Sequence, residues 1–508
     1  MFASFVVTTA VLGGQLVRTV PAANWVGHAG NAQHTSWSMA YTPRLERIDW
    51  TTPVDETPRY FGNSLLSHYG SICVTSRNTV VVPVKLQIDS DFVVRGLRGS
   101  NGSLVWTQAS DYVMPPHGWT PMMGPCLLPS NDRSGQEIVA FPMAGGRVAF
   151  RNAEAPKSDL KIAAFYGDSN FQVDPTAYKN NVRICTPLTP NMDGSVTFGF
   201  TVLGDTPLHL KSGIAKVDAK GHGVYAFATD LSGDAGISEV KQNGAPAVTV
   251  WTNEAYVVLN AGSFGRGVLV RLNASTLALK SRVALKDPKS GNDAAVDNEG
   301  TACPVVGPDG DVYVGVLESP FPHNHDRGWL LHYNRDLSQT KVPGAFGWDD
   351  TPSIVPASMV PSYHGPSTYL MLSKYNNYAG VGGDGHNKIA LLDPSTGFTE
   401  PISGITTMDE VATVLSPTPD GEFPNVPGAV REWCVNSAAV DIRRKAIVLN
   451  CEDGILYRWD MKTFQLTESI RLTAGIGEAY TATVIGTDGH VYGVSNATLF
   501  AIGGTLRP

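Results

Sequence analysis

The sequence predicts an all-β protein built as a single β-propeller of about eight blades. Three observations lead to this prediction: a repeated strand-and-turn unit, a charged fraction of only 17%, and 52 Gly and 34 Pro spread along 508 residues. Evenly spread Gly and Pro mark turns between short strands and not one disordered linker. A low charged fraction suits many short strands better than long solvated helices.

The repeat is clearest in residues 185–200, 301–316 and 481–494. Each copy contains a short strand, a turn with Asp-Gly, and a β-branched strand. Looser copies begin near five further positions, which are Ser71, Met123, Ala247, Ser353 and Asn436. One such sheet cannot cover both of its faces, whereas radial stacking of the copies covers them. We therefore count eight blades, with six or seven as alternatives, and expect an N-terminal strand near residues 25–38 to close the ring.

The first 23 residues predict a signal peptide. Residues 4–14 are a short apolar stretch, and the small residues before position 24 suit cleavage near Ala22 or Ala23. A buried N-terminal strand is the alternative. We expect residues 24–508 to form the propeller domain and the protein to enter the secretory pathway. Three glycosylation acceptors agree with that route, namely Asn101, Asn273 and Asn496.

The charge balance bears on possible partners. Net charge is −8 and no basic run occurs, so a nucleic-acid partner is disfavoured. No stretch after the N-terminal one is long and apolar enough for a membrane span. We expect a small apolar or aromatic ligand, and the oligomeric state stays open.

The six cysteines allow one disulfide to be argued from geometry. Cys434 and Cys451 flank two predicted strands joined by a polar turn at residues 443–445. A hairpin over this stretch would place the two cysteines opposite each other, so we predict a disulfide between them. Two small buried thiols are the alternative.

Three segments resemble quinoprotein-like propellers, the family of PQQ-repeat proteins. They are residues 24–35, 454–460 and 491–503. The resemblance implies the propeller fold across the mature chain. Dehydrogenases of that family carry a disulfide between adjacent cysteines and a calcium-bound quinone. This sequence has no adjacent cysteines and no calcium-loop spacing, so we expect neither a redox cofactor nor a metal.

Candidate ligand-binding residues lie just before or beside predicted innermost strands, where propeller loops line the channel mouth. Residues 347–354 and 373–386 combine aromatic rings with charges, and residues 117–120 precede another innermost strand. Adjacent carboxylates on an extended chain point to opposite faces, so at most one of the pair at 349–350 faces the channel. The predicted ligand-binding residues are Trp348, Asp349, Asp350, Lys374, Tyr375, Asn376, His117 and Trp119. Each is alternatively a packing or turn residue.

Candidate acid–base residues lie before two other innermost strands. Glu478 and Tyr480 alternate with small residues and should share one face, where they form an acid and a phenol within reach of one ligand. Arg431 and Glu432 precede an otherwise apolar strand. Structural hydrogen bonds or an inter-blade salt bridge are the alternatives. Residues 322–326 carry metal-binding donor types, but their Pro-flanked position favours a solvated turn.

The combination of residues 348–351, 374–378, 431–434 and 477–480 resembles secreted propellers that include fungal hetero-Diels–Alderases of tropolonic sesquiterpenoid pathways. This resemblance implies a cofactor-free enzyme of secondary metabolism that joins a tropolone quinone methide, formed by dehydration, to a humulene-type sesquiterpene. A polysaccharide lyase and a non-catalytic binding propeller are the alternatives.

Overall fold

The computed structural model describes residues 10–12, 15–17, 24–62, 64–129, 136–475 and 479–506. Its sheets form eight blades around a central axis, as predicted. In blades 1 to 4 the strands run outward from the axis in chain order, except that Ala295–Val296 returns to pair with Gly265–Asn273. Their bounds are Cys73–Val74, Thr79–Lys85, Ser90–Arg98 and Leu104–Val113; Cys126–Leu128, Ile138–Met143, Arg147–Asn152 and Lys161–Ala164; Val182–Ile184, Thr189–Pro190, Ser195–Val202, Gly213–Asp218 and Gly223–Phe227; Glu239–Val240, Ala247–Thr249, Glu254–Asn260, Gly265–Asn273, Leu279–Ala284 and Ala295–Val296.

Blades 5 to 8 repeat the same plan. Blade 5 has three strands, and its third strand is joined at its outer edge by bridges to Thr340 and Gly344. The bounds are Val305–Val306, Val312–Val316 and Trp329–Tyr333; Ser353–Pro356, Tyr369–Tyr375, Lys388–Thr399 and Thr406–Leu415; Ala439–Asp441, Ala446–Asn450, Ile455–Asp460 and Leu466–Arg471; Val484–Ile485, Val491–Ser495, Thr498–Gly503 and the N-terminal strand Arg47–Pro53.

Shorter elements connect the blades. The helices are Asp168–Phe171, Pro175–Asn181 and Ala228–Ser232, and 3-10 turns lie at His28–Gly30, Ala357–Met359 and Ala379–Val381. In the described part of the chain, no helix is long and apolar enough to cross a membrane. The remaining strands are Ala10–Leu12, Gln15–Val17, Trp37–Ser38, Tyr60–Phe61, Ser64–Leu65, Ser67–Tyr69, Val435–Ser437 and Ala479–Ala482.

The hydrophobic core lies between neighbouring blades. One continuous cluster contains Leu269 of blade 4, Trp329 of blade 5 and Met371 of blade 6, all fully buried. The strand Thr79–Lys85 is buried along its whole length, because both of its faces are covered by neighbouring blades. Each blade therefore depends on its neighbours for burial of its apolar faces.

The ring is closed by an N-terminal strand, but at a different place from the one predicted. Arg47–Pro53 pairs antiparallel with Thr498–Gly503 and forms the outermost strand of blade 8. Residues 25–38 instead follow the axis. Residues 25–38 cannot also form the closing strand, because they bind the inner edges of several blades in turn. The closing strand lies at the outer edge of a blade, far from the axis.

Residues 25–38, which we name the axial segment, hydrogen-bond to the innermost strands of most blades. The main chain of Trp25 pairs with Val74 of blade 1, and carbonyl groups further along accept amides from blades 2, 4, 5, 6 and 7. The donors are Leu127, Val248, Val306, Ile354, Val440 and Ile442. An innermost strand has one unpaired edge facing the channel, so these bonds satisfy groups that would otherwise be orphaned. The axial segment therefore closes the channel at the end where the innermost strands finish.

We predict that a histidine at the ring closure makes stability depend on pH. His490 Nδ1 lies 2.8 Å from Asp488 and its Nε2 lies 2.9 Å from Asp49 of the closing strand. The hydrogen bond that His490 donates to Asp488, together with both carboxylate charges, raises the pKa of His490 above its ordinary value. The stabilisation is therefore complete below about pH 6.5 and is lost as pH rises through the pKa of the folded state.

The measurement is the free energy of unfolding of wild type and His490→Gln between about pH 5.5 and pH 9. We expect a difference on the order of 1 kcal/mol at the acid end that shrinks toward the alkaline end. His222→Gln is the control, because His222 pairs with Asp218 on an exposed surface. A difference for His490→Gln that stays constant over this range contradicts the prediction.

Candidate active site

At the mouth, the end of the channel where the innermost strands begin, adjacent blades pair directly. Val435–Ser437 lies parallel to Ala479–Ala482, which in turn lies parallel to Ser67–Tyr69. Ser67 then bridges to Thr120 before blade 2. This ladder brings two of the predicted segments side by side, and it adds His68, which the sequence did not single out.

The predicted acid–base pair is only partly described. Glu478 lies outside the described residues, and of Tyr480 the structure describes the strand position, directly opposite His68. The roles of both residues stay predictions. The position of His68 in the segment before an innermost strand was the signal that could have identified it.

An ion pair between Asp349 and Lys374 lies at the mouth beside blade 6. Lys374 Nζ is 2.9 Å from Asp349 Oδ2, and both side chains are essentially inaccessible to solvent. Asp349 Oδ1 also accepts the amide of Thr301 from the neighbouring blade at 3.2 Å. The pair therefore ties two blades together, and its charges act on groups elsewhere in the mouth.

The neighbouring carboxyl group belongs to blade 6. Asp350 Oδ2 accepts the hydroxyl of Ser373 at 2.9 Å and the amide of Lys374 at 3.0 Å. Burial raises the pKa of Asp350 to about 7, against the opposing effect of Lys374. The two adjacent aspartates thus separate, one reaching across to blade 5 and the other staying within its own blade.

A third carboxyl group belongs to Asp326, in the segment 322–326 that the sequence favoured as a solvated turn. It lies half-buried in a loop of blade 5 with φ 59°, a left-handed conformation that non-glycine residues rarely adopt. Its carbonyl accepts the indole N–H of Trp348 at 2.7 Å. Burial, reinforced by the charges of Glu318 and Asp349, raises the pKa of Asp326 to about 7. The loop that the sequence favoured as a solvated turn therefore carries a carboxyl group that keeps its proton near neutral pH.

Residues 115–122, which we name the strap, cross the mouth between blades 1 and 2. The Glu299 side chain, from the opposite side of the ring, accepts the amides of Gly118 and Trp119. The amide of Met122 donates to Asn243 Oδ1 of blade 4 at 3.0 Å. These anchors hold the strap over the axis, so the mouth is covered at this end and the axial segment closes the other.

The two strap residues predicted to bind ligand have different surroundings. The ring of Trp119 stacks on His68 at 5.2 Å between centroids and an interplanar angle of 23°. His117 turns away, with Nδ1 2.7 Å from Pro115 O and Nε2 3.5 Å from Asp89. Trp119 therefore belongs to the mouth, and His117 lies at its rim.

Tyr375 and Asn376 bind protein groups. The Tyr375 hydroxyl accepts the Ala345 amide at 3.0 Å, and Asn376 bonds to both the amide and the carbonyl of Trp433. Both side chains hold neighbouring segments together.

The two charged residues before blade 7 also have protein contacts. Arg431 forms ion pairs with Glu422 at 3.1 Å and Glu452 at 2.9 Å. The Glu432 carbonyl accepts the Glu452 amide, and burial, reinforced by the Glu432 charge, raises the pKa of Tyr378. The charge of Glu432 therefore acts on Tyr378, whereas Arg431 neutralises Glu422 and Glu452.

The predicted Cys434–Cys451 disulfide is wrong for this structure. The hairpin register pairs Ala439 with Val448, which would place Cys451 opposite residue 436 and not opposite Cys434. The chain before the hairpin leaves it to pair with Ala479–Ala482. The Cys451 thiol instead donates to the Glu432 carbonyl at 3.3 Å, and both cysteines are buried thiols.

Two of the glycosylation acceptors, Asn101 and Asn496, lie in turns, and Asn273 ends the strand Gly265–Asn273. Asn101 is exposed, Asn273 caps its own turn by accepting two amides, and Asn496 accepts the hydroxyl of Tyr60 at 2.6 Å. Their modification stays a prediction.

The site does not fit a calcium-bound quinone. The oxygens of Asp349 and Asp350 already accept from groups of the chain, and the ammonium of Lys374 neutralises Asp349. Over the described ranges, no group of three or more His, Cys, Asp or Glu side chains is arranged to hold a metal ion. The donor set therefore differs from that of a quinone-dependent dehydrogenase, and these residues do not fit that cofactor.

Comparison with known proteins shows the fold. No protein-family model and no curated protein matches the chain. Among solved structures it resembles a europium-containing methanol dehydrogenase, with 11% identity, TM-score 0.55, and 92% of this chain and 88% of that one covered. It also resembles the quinohemoprotein alcohol dehydrogenase of Comamonas testosteroni, with 13% identity, TM-score 0.53, and 97% and 82% covered. At these identities the likeness establishes an eight-bladed propeller of the quinoprotein-dehydrogenase type and no activity.

We predict that the Glu299 carboxylate controls opening of the strap. In Glu299→Ala the amides of Gly118 and Trp119 lose their acceptor, so their hydrogen exchange should accelerate by about tenfold, from a loss on the order of 1.4 kcal/mol. The measurement is hydrogen–deuterium exchange of strap peptides. Glu56→Ala is the control, because Glu56 pairs with Arg95 at the protein surface. Unchanged strap exchange in Glu299→Ala would refute this role.

Proposed function

We propose that the chain is a small-molecule enzyme of secondary metabolism that works at the covered mouth without a redox cofactor. Its reaction is dehydration of a hydroxymethyl tropolone to a quinone methide, followed by hetero-Diels–Alder addition to a humulene-type sesquiterpene. The resemblance of residues 348–351 and 374–378 to such enzymes suggests this chemistry. We also propose that the protein acts in the secretory pathway.

One observation carries the proposal: a residue whose carboxyl group keeps a proton near neutrality accepts, through its main-chain carbonyl, a hydrogen bond from an indole ring. Asp326 has a pKa of about 7, and Trp348 is bonded to its carbonyl. A general acid works best when its pKa lies near the working pH. The indole offers a face on which a flat seven-membered ring can stack.

The proposed steps balance without an oxidant. Asp326 protonates the leaving hydroxyl of the hydroxymethyl group, the C–O bond breaks, and water departs. The ring reacts as its ionised form, so loss of water leaves a neutral quinone methide, and the Asp326 carboxylate regains its proton from solvent before the next turnover. The oxygen and exocyclic carbon of this species add across the alkene and form one C–O and one C–C bond. Holding both partners in contact lowers the entropic part of the barrier.

The covered mouth suits a reactive intermediate. A quinone methide is destroyed by water, and the strap and axial segment enclose the site from both ends. The alternative of a polysaccharide lyase receives less support. Arg431, the predicted site residue that could face a uronate, is already paired with Glu422 and Glu452.

The first experiment incubates the purified glycosylated protein with a hydroxymethyl tropolone and a hydroxylated humulene and follows the products by mass spectrometry. We expect a joined product lacking one water, formed faster and with higher stereochemical purity than without protein. The absence of acceleration over the protein-free reaction would sink the proposed function.

We predict that Asp326→Asn slows dehydration by about a hundredfold or more, because the amide cannot donate the proton. Asp230→Asn, an exposed aspartate on blade 3, is the matched control and should retain the wild-type rate. Single-turnover measurement of water loss separates this step from product release. Full activity of Asp326→Asn would remove Asp326 from the mechanism.

A pH profile gives an independent prediction. The acid form of Asp326 is required, so the dehydration rate should fall as pH rises through about 7. The carboxyl of Asp350 titrates in the same range, and the profile of Asp326→Asn distinguishes the two groups. We expect this limb of the profile to disappear in Asp326→Asn. Its persistence there would assign the titration to another group.

A further inference from the structure

One buried lysine at the mouth lacks a counter-charge. Lys241 of blade 4 is 1% exposed, and its Nζ donates to Gly300 O at 2.6 Å and to Gln242 O at 3.3 Å. No carboxylate of the described residues lies within ion-pairing distance of it. The other buried lysines of the described chain each have one: Lys85 pairs with Asp55, Lys216 with Asp193, and Lys374 with Asp349.

The electrostatic neighbours of Lys241 place it near the axis. Burial lowers the pKa of His28 in the axial segment and of His68 before blade 1, and the charge of Lys241 lowers both further. It is itself influenced by Asp297 and Asp349. A residue of blade 4 can act on all these parts of the ring only from a position close to their common centre.

An uncompensated ammonium in this position is costly. Burial lowers the pKa of Lys241, which is the expected response of a charge moved out of water. The two carbonyl acceptors use two of the three N–H bonds of the ammonium. An anionic oxygen at the third would supply both a hydrogen bond and the missing charge.

Other polar atoms under the strap also lack protein partners. Thr120 Oγ1 of the strap and Asn436 Oδ1 before blade 7 are buried without a hydrogen bond to any described group. Buried polar atoms of native proteins are normally bonded to protein, water or ligand. Lys241 and these two atoms therefore offer polar groups under the strap to a ligand that enters when the strap lifts.

We propose that Lys241 binds an anionic oxygen of the ligand, and that the ligand class is a flat, largely apolar molecule carrying an ionised enol or a carboxylate. The proposal rests on the proposed function, for which it identifies the group that recognises the tropolone ring as its tropolonate anion. Lys241 binds the ionised oxygen while the opposite edge of the ring faces Trp348. Lys241 thereby acts in ligand recognition, whereas Asp326 acts in proton transfer.

The test measures binding of tropolone itself, and of its uncharged methyl ether, by calorimetry at a pH where tropolone is ionised. We expect Lys241→Met to weaken tropolone binding at least tenfold and to leave the affinity for the ether unchanged. Lys216→Met is the matched control, a buried lysine of the adjacent blade paired with Asp193, and should bind tropolone as wild type does. Lys241→Gln is a second variant that keeps polarity and removes charge, and it should behave like Lys241→Met.

Folding is read separately by the thermal unfolding midpoint. Replacing an unpaired buried charge by an apolar chain of similar volume should leave this midpoint unchanged or raise it. Wild-type affinity for tropolone in both Lys241 variants overturns the proposal, as does failure of the wild type to bind tropolone. If the two Lys241 variants lose tropolone binding but the wild type forms no joined product, the binding site is supported and the proposed reaction is refuted.

Discussion

The unpaired inner edges of the eight blades are the constraint on which the rest of this structure depends. A propeller leaves one edge of every innermost strand facing the axis, and each such edge carries amide and carbonyl groups that need partners. In this chain the axial segment supplies partners where the strands finish, and direct parallel pairing between neighbouring blades supplies them where several strands begin. Both solutions draw backbone toward the axis. The channel is consequently filled at one end and narrowed at the other.

This arrangement explains why so many charges at the mouth are buried. Side chains that precede the innermost strands have nowhere to point except toward neighbouring segments or the enclosed centre. Asp349 is neutralised by Lys374, and Asp350 is held by hydroxyl and amide donors. Asp326 and Lys241 have no ion pair of their own among the described residues, and their pKa values shift in the directions that reduce their charge. A fold selected for stability alone would gain by replacing such groups with apolar ones, so their presence argues for a use at this site.

The sequence allowed the blades to be counted because each blade is local. Strand, Asp-Gly turn and strand lie within about fifteen residues, and residues 301–316 show all three in order. The features that were missed join residues far apart. The Glu299 carboxylate meets a strap 180 residues away, and the closing strand begins beyond an axial segment whose composition resembles any other turn-rich stretch. The disulfide failed by register: a hairpin was correctly expected, but the chain leaves it before reaching Cys434.

The packing of the blades and the residues at the mouth are determined by different parts of the sequence, so the fold does not determine the reaction. The likeness to quinone-dependent dehydrogenases resides in the blades, whose packing requires little more than β-branched strands and tight turns. The mouth residues belong to segments that precede the strands, and these can change without disturbing the packing between blades. In this chain those segments place the ammonium of Lys374 against Asp349. The ion pair neutralises that carboxylate inside the fold. The fold thus sets where chemistry takes place, and the residues before each innermost strand decide which chemistry it is.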